Sequence, residues 1–391
     1  MRWTNLIKGF RQGKNKKTIK KPLLEHYDIQ PIDDTGAVYR MIIGQRSNGK
    51  TYKCCRHIVE DYLREGKRGA YVRRYEETLT PKNLGALFDP HNDFIKELSD
   101  GRYNCAVYRA KEYHLVNMDM TTGDIIDRDP VAFCVTAAIN TSENTKGMDR
   151  GPLHTIVFDE FMTRVGYLNN EFVQFMNLLS SLIRDRDDAV IYMLANTVNK
   201  YCPYFKEMGL KNIENLPKGE IALYTYGDSR LTVAVEVCDE VLATKKVASK
   251  YFAFDNPQLQ MITKGDWEFQ IYPRAPYKIY SEDIVLVFYI RFAENMLCCE
   301  IVHPTVKAHC NDVFIFIHPQ TKDIDIDDDT IMYVQDFSGC RMHVRFINDM
   351  PTPAHKLIND LIRRKSVCFS DNDTGEIFRN WLMETQGVKL W

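Results

Sequence analysis

The chain has 391 residues and a mass of 45.6 kDa, which at about 150 residues per domain predicts two or three domains. Hydrophobic residues make up 45% and charged residues 27%, a profile that excludes wholesale disorder. The net charge of −2 hides an asymmetry: eight of the 51 basic residues lie in residues 1–21, which hold no acid, leaving 43 against 53 and a net −10 beyond.

The first segment, residues 1–21, is a basic arm (Arg2, Lys8, Arg11, Lys14, Lys16, Lys17, Lys20, Lys21). It reads either as a solvated tail or as a contact for nucleic acid or an acidic partner. No apolar core precedes a small-residue cleavage site, so no signal peptide is expected. Residues 22–235 form the second segment. Ala37–Ile43 predicts a strand running into a glycine-rich turn, and Lys50–Glu65 a helix with Cys55, Ile58, Val59, Tyr62 and Leu63 on one face and Gly66 as its stop. Strands are expected at Gly69–Arg73, Tyr103–Tyr108, Tyr113–Asn117, Val131–Ala138 and Thr155–Phe158, then a helix at Asn170–Arg184 and a strand at Ala189–Leu194. Strands alternating with helices imply a mostly parallel sheet covered on both faces. Residues 236–265 read as a linker region with a helical pattern at Asp239–Lys250. Residues 266–391 predict strands at Ile284–Phe292, Met296–His303 and Asp312–His318, weaker ones near Ile331–Val334 and Met342–Ile347, then helix Ala354–Arg364, strand Ser366–Phe369 and helix Thr374–Thr385. The acidic run Asp323–Asp329 lacks the glycine and terminal glutamate of a calcium loop and reads as a solvated turn. The longest clean apolar run, Ile284–Ile290, is far short of the roughly 20 residues a membrane helix needs. Eleven cysteines without a CxxC pair suggest reduced thiols in a cytoplasm.

Three motifs carry chemistry. Gly44-Gln45-Arg46-Ser47-Asn48-Gly49-Lys50-Thr51 fits G-x-x-x-x-G-K-[ST] between a strand and an amphipathic helix. The glycines let backbone N–H groups and the helix N-terminus wrap phosphate oxygens. Lys50 would place a cation on the β/γ-phosphates, and the Thr51 hydroxyl would ligate Mg²⁺, so ATP and Mg²⁺ are the expected ligands. The second motif is Leu153-His-Thr-Ile-Val-Phe-Asp-Glu-Phe161, a strand ending in paired carboxylates. Asp159 would hold Mg²⁺ and Glu160 would polarise the attacking water as general base. The third is the strand end at Asn196 and Thr197, where an amide can sense the phosphate. Together they indicate an additional-strand, catalytic-glutamate (ASCE) P-loop ATPase.

Arg46 in the P-loop, Tyr71-Val-Arg-Arg-Tyr75, Thr155–Phe161, Ile183-Arg-Asp-Arg186, Asn196 and Pro203-Tyr-Phe205 follow in one order. That order resembles the DNA-encapsidation ATPases of small phi-twenty-nine-type tailed phages, relatives of large terminase subunits. The match is dense from about residue 37 to 205 and thin afterwards. The resemblance implies a ring motor, usually pentameric, docked on the portal of a procapsid in the host cytoplasm and pumping double-stranded DNA inward. It leaves open whether a scaffold RNA sits between motor and capsid. It also implies that Arg184 is an arginine finger acting on a neighbour's site, with Arg186 as the alternative, and that Lys146 is a second trans-acting cation. Arg73 and Arg74 should face opposite ways, one reaching phosphate or a neighbouring subunit and the other pairing with an acid. No contact is transferred to Glu76. The loop Met162–Asn170, with Arg164, is a candidate DNA grip that would touch phosphates without base readout.

The C-terminal pattern looks like an α+β RNase H-type fold, the nuclease of large terminases. Two-metal cleavage needs converging carboxylates, the first on the opening strand, but Ile284–Phe292 holds no acid and leaves only Asp371 and Asp373. A vestigial, inactive nuclease fold is expected. His303, His309 and Cys310 fit no zinc spacing and read as structural. The alternatives are a terminase with an active nuclease and an ATP-regulated portal-docking module that translocates nothing.

Overall fold

The computed structural model describes residues 24–142, 153–163, 167–168, 170–184, 186–196, 202–227, 231–239, 241–242, 272–292, 295–303, 312–321, 326–335 and 339–386. The basic arm, Lys146, Arg164, Thr197, His309, Cys310 and most of Asp239–Lys250 lie outside them. No helix among the described residues is long and apolar enough to cross a membrane, and the ten described cysteines are free.

Two sheets organise the chain. The first takes ten strands: β1 (Tyr39–Gly44), β2 (Gly69–Arg73), β3 (Cys105–Arg109), β4 (Glu112–Met118), β5 (Ile125–Arg128), β6 (Cys134–Ala138), β7 (Thr155–Asp159), β8 (Val190–Asn196), β9 (Ile221–Tyr226) and β10 (Leu231–Val237). Its order is β3-β4-β6-β2-β7-β8-β1-β10-β9, with β5 on the outer side of β4. The six strands from β6 to β10 are parallel, whereas β3, β4, β5 and β9 are antiparallel additions at the two edges.

The central strands are buried along nearly their whole length, as a sheet with both faces covered requires. Their alternating side chains feed two cores. Ile42 and Val157 meet Cys54, Cys55, Ile58 and Val59 of helix α1 (Lys50–Glu65) on one face. Ile43, Ile156, Phe158 and Met193 meet Phe175, Leu178, Leu179 and Leu182 of α2 (Glu171–Ile183) on the other, with Tyr204 and Phe205 of α3 (Pro203–Glu207). Gly66 ends α1 at φ 68°, where the absent Cβ removes the usual penalty, and its N–H closes on Tyr62 O.

Most sequence-predicted elements form with ends shifted by one to three residues. Two features differ. The sequence reading assigns no strand or helix to residues 206–237, yet β10 inserts directly beside β1, and β3–β5 make an antiparallel meander at the far edge.

The second sheet has the order β15-β14-β11-β12-β13-β16, from β11 (Ile284–Phe292), β12 (Asn295–Val302), β13 (Phe314–Pro319), β14 (Met332–Tyr333), β15 (His343–Val344) and β16 (Val367–Phe369). β11, β12 and β13 are antiparallel, while β14, β15 and β16 run parallel to their neighbours. One face packs on α4 (Pro353–Arg363) and α5 (Asn372–Gln386) through Phe288, Ile290, Leu297, Ile301, Ile317, Ile358, Phe378 and Trp381. On the opposite face Val285 and Val287 are exposed. The end of the acidic run, residues 326–329, forms a turn: the Asp327 carboxylate accepts from Thr330 Oγ1 at 2.6 Å and closes it.

Candidate functional site

The P-loop forms at the carboxyl end of β1. Ser47 and Gly49 both adopt positive φ (60° and 99°), which bends the backbone into α1. Gly44 is required for a different reason: a Cβ there would meet Cys238 Cβ at 2.8 Å and Asn48 Nδ2 at 3.1 Å. The strand end of β10 therefore presses on the loop. From the other side Tyr27 N donates to Asn48 O at 2.9 Å. Lys50 is 6% exposed, and its Nζ donates to Gln45 O at 2.7 Å and Asn48 Oδ1 at 3.1 Å. Burial pulls the Lys50 ammonium below its ordinary pKa. At the start of α1 Lys50 N donates to Asn48 Oδ1 at 3.2 Å, and the first helical residues Lys50, Thr51 and Tyr52 line the same space.

Strand order brings the carboxylates opposite. β8 lies between β1 and β7, with Gly44 beside Asn196 and Asp159 beside Leu194. This single intervening strand is the additional strand of the ASCE architecture. It opens a cleft of about 330 Å³ lined by the loop from Arg46 to Tyr52 on one side and by Asp159, Glu160, Ala195 and Asn196 on the other. All three motifs thus meet in one place.

Glu160 itself has φ 60°, a conformation that costs a non-glycine residue about 1–2 kcal/mol and is held by its neighbours. Its N–H donates to Asp159 Oδ1 at 3.0 Å, and Phe161 N donates to Leu194 O at 3.1 Å. Its carbonyl accepts from Arg74 Nη1 at 3.0 Å, and that of Phe161 from Arg74 Nη2 at 2.7 Å.

Arg73 and Arg74 do diverge, but both pair with acids. Arg73 Nη2 donates to Glu160 Oε2 at 2.8 Å and Nη1 to Asp159 Oδ2 at 3.3 Å. Arg74 Nε donates to the buried Glu171 at 2.8 Å, and Glu171 also accepts from Tyr204 Oη and Leu168 N, each at 2.8 Å. Glu76 pairs with Lys111. Tyr71 Oη donates to Asp159 Oδ2 at 2.5 Å, and burial raises its phenol well above its ordinary pKa, keeping it a neutral donor. The sequence reading gives no role of its own to Tyr71, Glu171, Tyr204 or Cys238. Only the i, i+2 spacing of Tyr71 and Arg73 on a strand hints that they share a face.

Arg184 is exposed at the end of α2, with φ 52°. Leu153 N, just ahead of β7, donates to Leu182 O, so this helix end sits at the amino ends of the strands, across the sheet from the chain's own cleft. Arg186 forms a two-point pair with Asp188, both contacts 2.7 Å. In the second sheet Asp371 caps α5, accepting from Thr374 N at 2.7 Å and Ser370 Oγ at 2.6 Å. His303 directly follows β12, its N–H donating to Asp283 O at 2.8 Å.

The donor set fits a magnesium nucleotide. Thr51 and Asp159 offer hard oxygen ligands across the cleft, Lys50 offers a buried cation, and the loop backbone offers a cradle shaped by two positive-φ residues.

The chain is similar to known proteins. A DNA packaging protein of Bacillus phage B103 is 26% identical over 176 residues, which are 44% of this chain and 48% of that protein. The DNA packaging protein of Bacillus phage phi29 is 24% identical over 182 residues, 46% and 48% of the two chains. The aligned part thus spans about half the length of these curated relatives. Among solved structures, a chain of the bacteriophage phi-29 viral genome packaging motor assembly superposes with TM-score 0.53 at 19% identity, over 91% of this chain and 99% of that one, which establishes a shared fold. The profile of the podovirus DNA encapsidation protein (Gp16) family matches residues 24–224. The chain, with its P-loop and carboxylate pair both inside the matched region, belongs to the podovirus DNA encapsidation protein (Gp16) family.

Proposed function

We propose that the chain hydrolyses ATP in the cleft between β1 and β7 and uses the reaction to translocate double-stranded DNA into a preformed capsid. The observation that carries this reading is Lys50 facing the Asp159–Glu160 pair across one additional strand. The N–H groups of residues 45–51 bind the triphosphate, and Lys50 exchanges its loop oxygens for the β/γ-phosphates. Thr51 and Asp159 hold Mg²⁺, which when bound neutralises phosphate charge. Glu160 takes the proton of the attacking water, so it must first part from Arg73; Asn196, beside Gly44, is within the same cleft to hydrogen-bond water or phosphate.

The position of Arg184 supports a ring of identical subunits. It lies on the far side of the sheet from its own cleft and is suited to a neighbour's, where a guanidinium stabilises charge on the departing phosphoryl group. Lys146 is the second cation in this reading. Arg186, paired with Asp188, is the alternative finger. The ring would be pentameric and dock on the portal of a procapsid in the host cytoplasm, with a scaffold RNA as a further candidate partner.

The C-terminal segment is read as an RNase H-like fold without nuclease activity. Supporting this are the antiparallel β11–β13 followed by parallel β14 and β15, the lack of an acid in the sequence of β11, and the use of Asp371 as a helix cap. Mn²⁺-dependent plasmid nicking should be absent.

The deciding experiment is steady-state ATP hydrolysis with and without double-stranded DNA across a protein concentration series, alongside Arg184→Ala. DNA stimulation, a steeper-than-linear concentration dependence and loss of turnover in the variant are expected. Turnover on assembled procapsids that is indifferent to DNA and to Arg184 would instead favour a portal-docking module.

A further inference from the structure

The second sheet carries three side chains of metal-ligating chemistry that the ATPase reading does not use. Leu297, Cys299 and Ile301 point into the core of that sheet, so the pleat turns Cys298 and Glu300 to the opposite face. Strand register places Cys298 across from His318 and Glu300 across from Phe316. One thiol sulfur, one carboxylate oxygen and one imidazole nitrogen consequently lie within 4.8 Å of one another.

The distances suit a small tetrahedral ion. Bond lengths of about 2.0–2.2 Å for nitrogen and oxygen ligands of Zn²⁺ put the two atoms about 3.4 Å apart at a tetrahedral angle. His318 Nε2 and Glu300 Oε1 are 3.7 Å apart, so closure needs only a few tenths of an ångström. The second nitrogen of the ring is also in place. His318 Nδ1 is 3.0 Å from Pro319 O, an atom that can only accept, so Nδ1 carries a proton and Nε2 is the nitrogen left to face the cluster. Donation of the remote ring N–H to a backbone carbonyl is the usual way a metal-binding histidine is oriented.

The scaffold is rigid, because β12 is paired on both sides, by β11 and β13. Access is one-sided: Cys298 is 6% exposed, whereas the side chains of His318 and Glu300 are 31% and 20% exposed. Without a metal, hydrogen bonds to Cys298 and Glu300 push His318 up to about 10, which is the competing description of the cluster as an ion pair beside a thiol.

We propose that Cys298, Glu300 and His318 bind one Zn²⁺, cross-linking β12 to β13 and leaving a fourth position to water. Ligation needs the Cys298 thiolate and an unprotonated His318 Nε2, so any proton held on either atom passes to solvent. The site is independent of the ATPase reading.

The test uses the full chain and Co²⁺ as a spectroscopic substitute for Zn²⁺. One equivalent of Co²⁺ should produce thiolate-to-cobalt charge-transfer absorption together with tetrahedral ligand-field bands, and Zn²⁺ should bleach both. The absorption should vanish in Cys298→Ser, weaken at least tenfold in apparent affinity in His318→Gln, and persist in Cys340→Ser. Absence of the charge-transfer band in the unmutated chain at saturating Co²⁺ overturns the proposal, whatever the variants do. So does a band that survives in both Cys298→Ser and His318→Gln.

Discussion

Adjacent arginines on one strand end should behave in opposite ways when removed. The Arg74 side chain is 7% exposed and that of Glu171 fully buried, and Nε, Nη1 and Nη2 of Arg74 donate to Glu171, Glu160 O and Phe161 O respectively. In Arg74→Met the Glu171 carboxylate keeps Tyr204 and Leu168 N but loses its guanidinium partner. Removing one member of a buried pair costs about 3–5 kcal/mol. At about 2–4 °C per kcal/mol for a domain of this size, the melting temperature should fall by about 6–20 °C. Arg73 also contacts two acids, but Glu160 is 58% exposed and its contact is replaced by water, while Asp159, 15% exposed, keeps its hydrogen bond from Tyr71. Arg73→Met should stay within about 1 kcal/mol of the unmutated chain. Urea unfolding followed by circular dichroism measures both, with the transition slope checked for equality. The double variant Arg74→Met/Glu171→Leu should recover much of the loss, because no lone charge remains buried. Equal stability of the two single variants would refute the reasoning.

Other consequences are specific to single contacts. Glu236, on β10, accepts from Tyr27 Oη at 2.6 Å, and burial pushes its carboxyl up to about 7. A raised carboxyl pKa stabilises the fold fully below about pH 4.5, and that contribution is lost as pH rises through about 7. Glu236→Gln, which can still accept from Tyr27, should therefore gain on the unmutated chain between those values, by roughly 3 kcal/mol at pH 8, read from urea midpoints at each pH. Gly44→Ala should weaken ATP binding at least tenfold in a fluorescent-nucleotide titration, since the new Cβ meets Cys238 Cβ; adding Cys238→Gly should restore part of the affinity. Tyr71→Phe removes the 2.5 Å hydrogen bond to Asp159 and should raise the Mg²⁺ needed for half-maximal hydrolysis about tenfold or more, as loss of an outer-shell partner does.

Local sequence decided those features that depend on residues close together in the chain. Glycines at 44 and 49 followed by Lys50 and Thr51 make the loop. An apolar run closing on Asp159 and Glu160 makes a strand with acids at its tip, and the 3.6-residue period of Lys50–Glu65 makes the helix whose start faces phosphate. Side-chain divergence at Arg73 and Arg74 was legible from strand alternation alone. Which acids they meet was not. Glu171 lies 97 residues from Arg74, and only the β7–α2 packing brings it under the Glu160 turn. Strand order was likewise a tertiary matter. Nothing in Val190–Asn196 says that it lies between β1 and β7, nor in Leu231–Val237 that it flanks the P-loop, because parallel pairing joins segments through long crossovers and is selected by burial of both sheet faces. The same holds for Cys298, Glu300 and His318. Two of them share a strand face by alternation, but the third arrives through the β12–β13 register, and a slip of one residue would turn it to the other side.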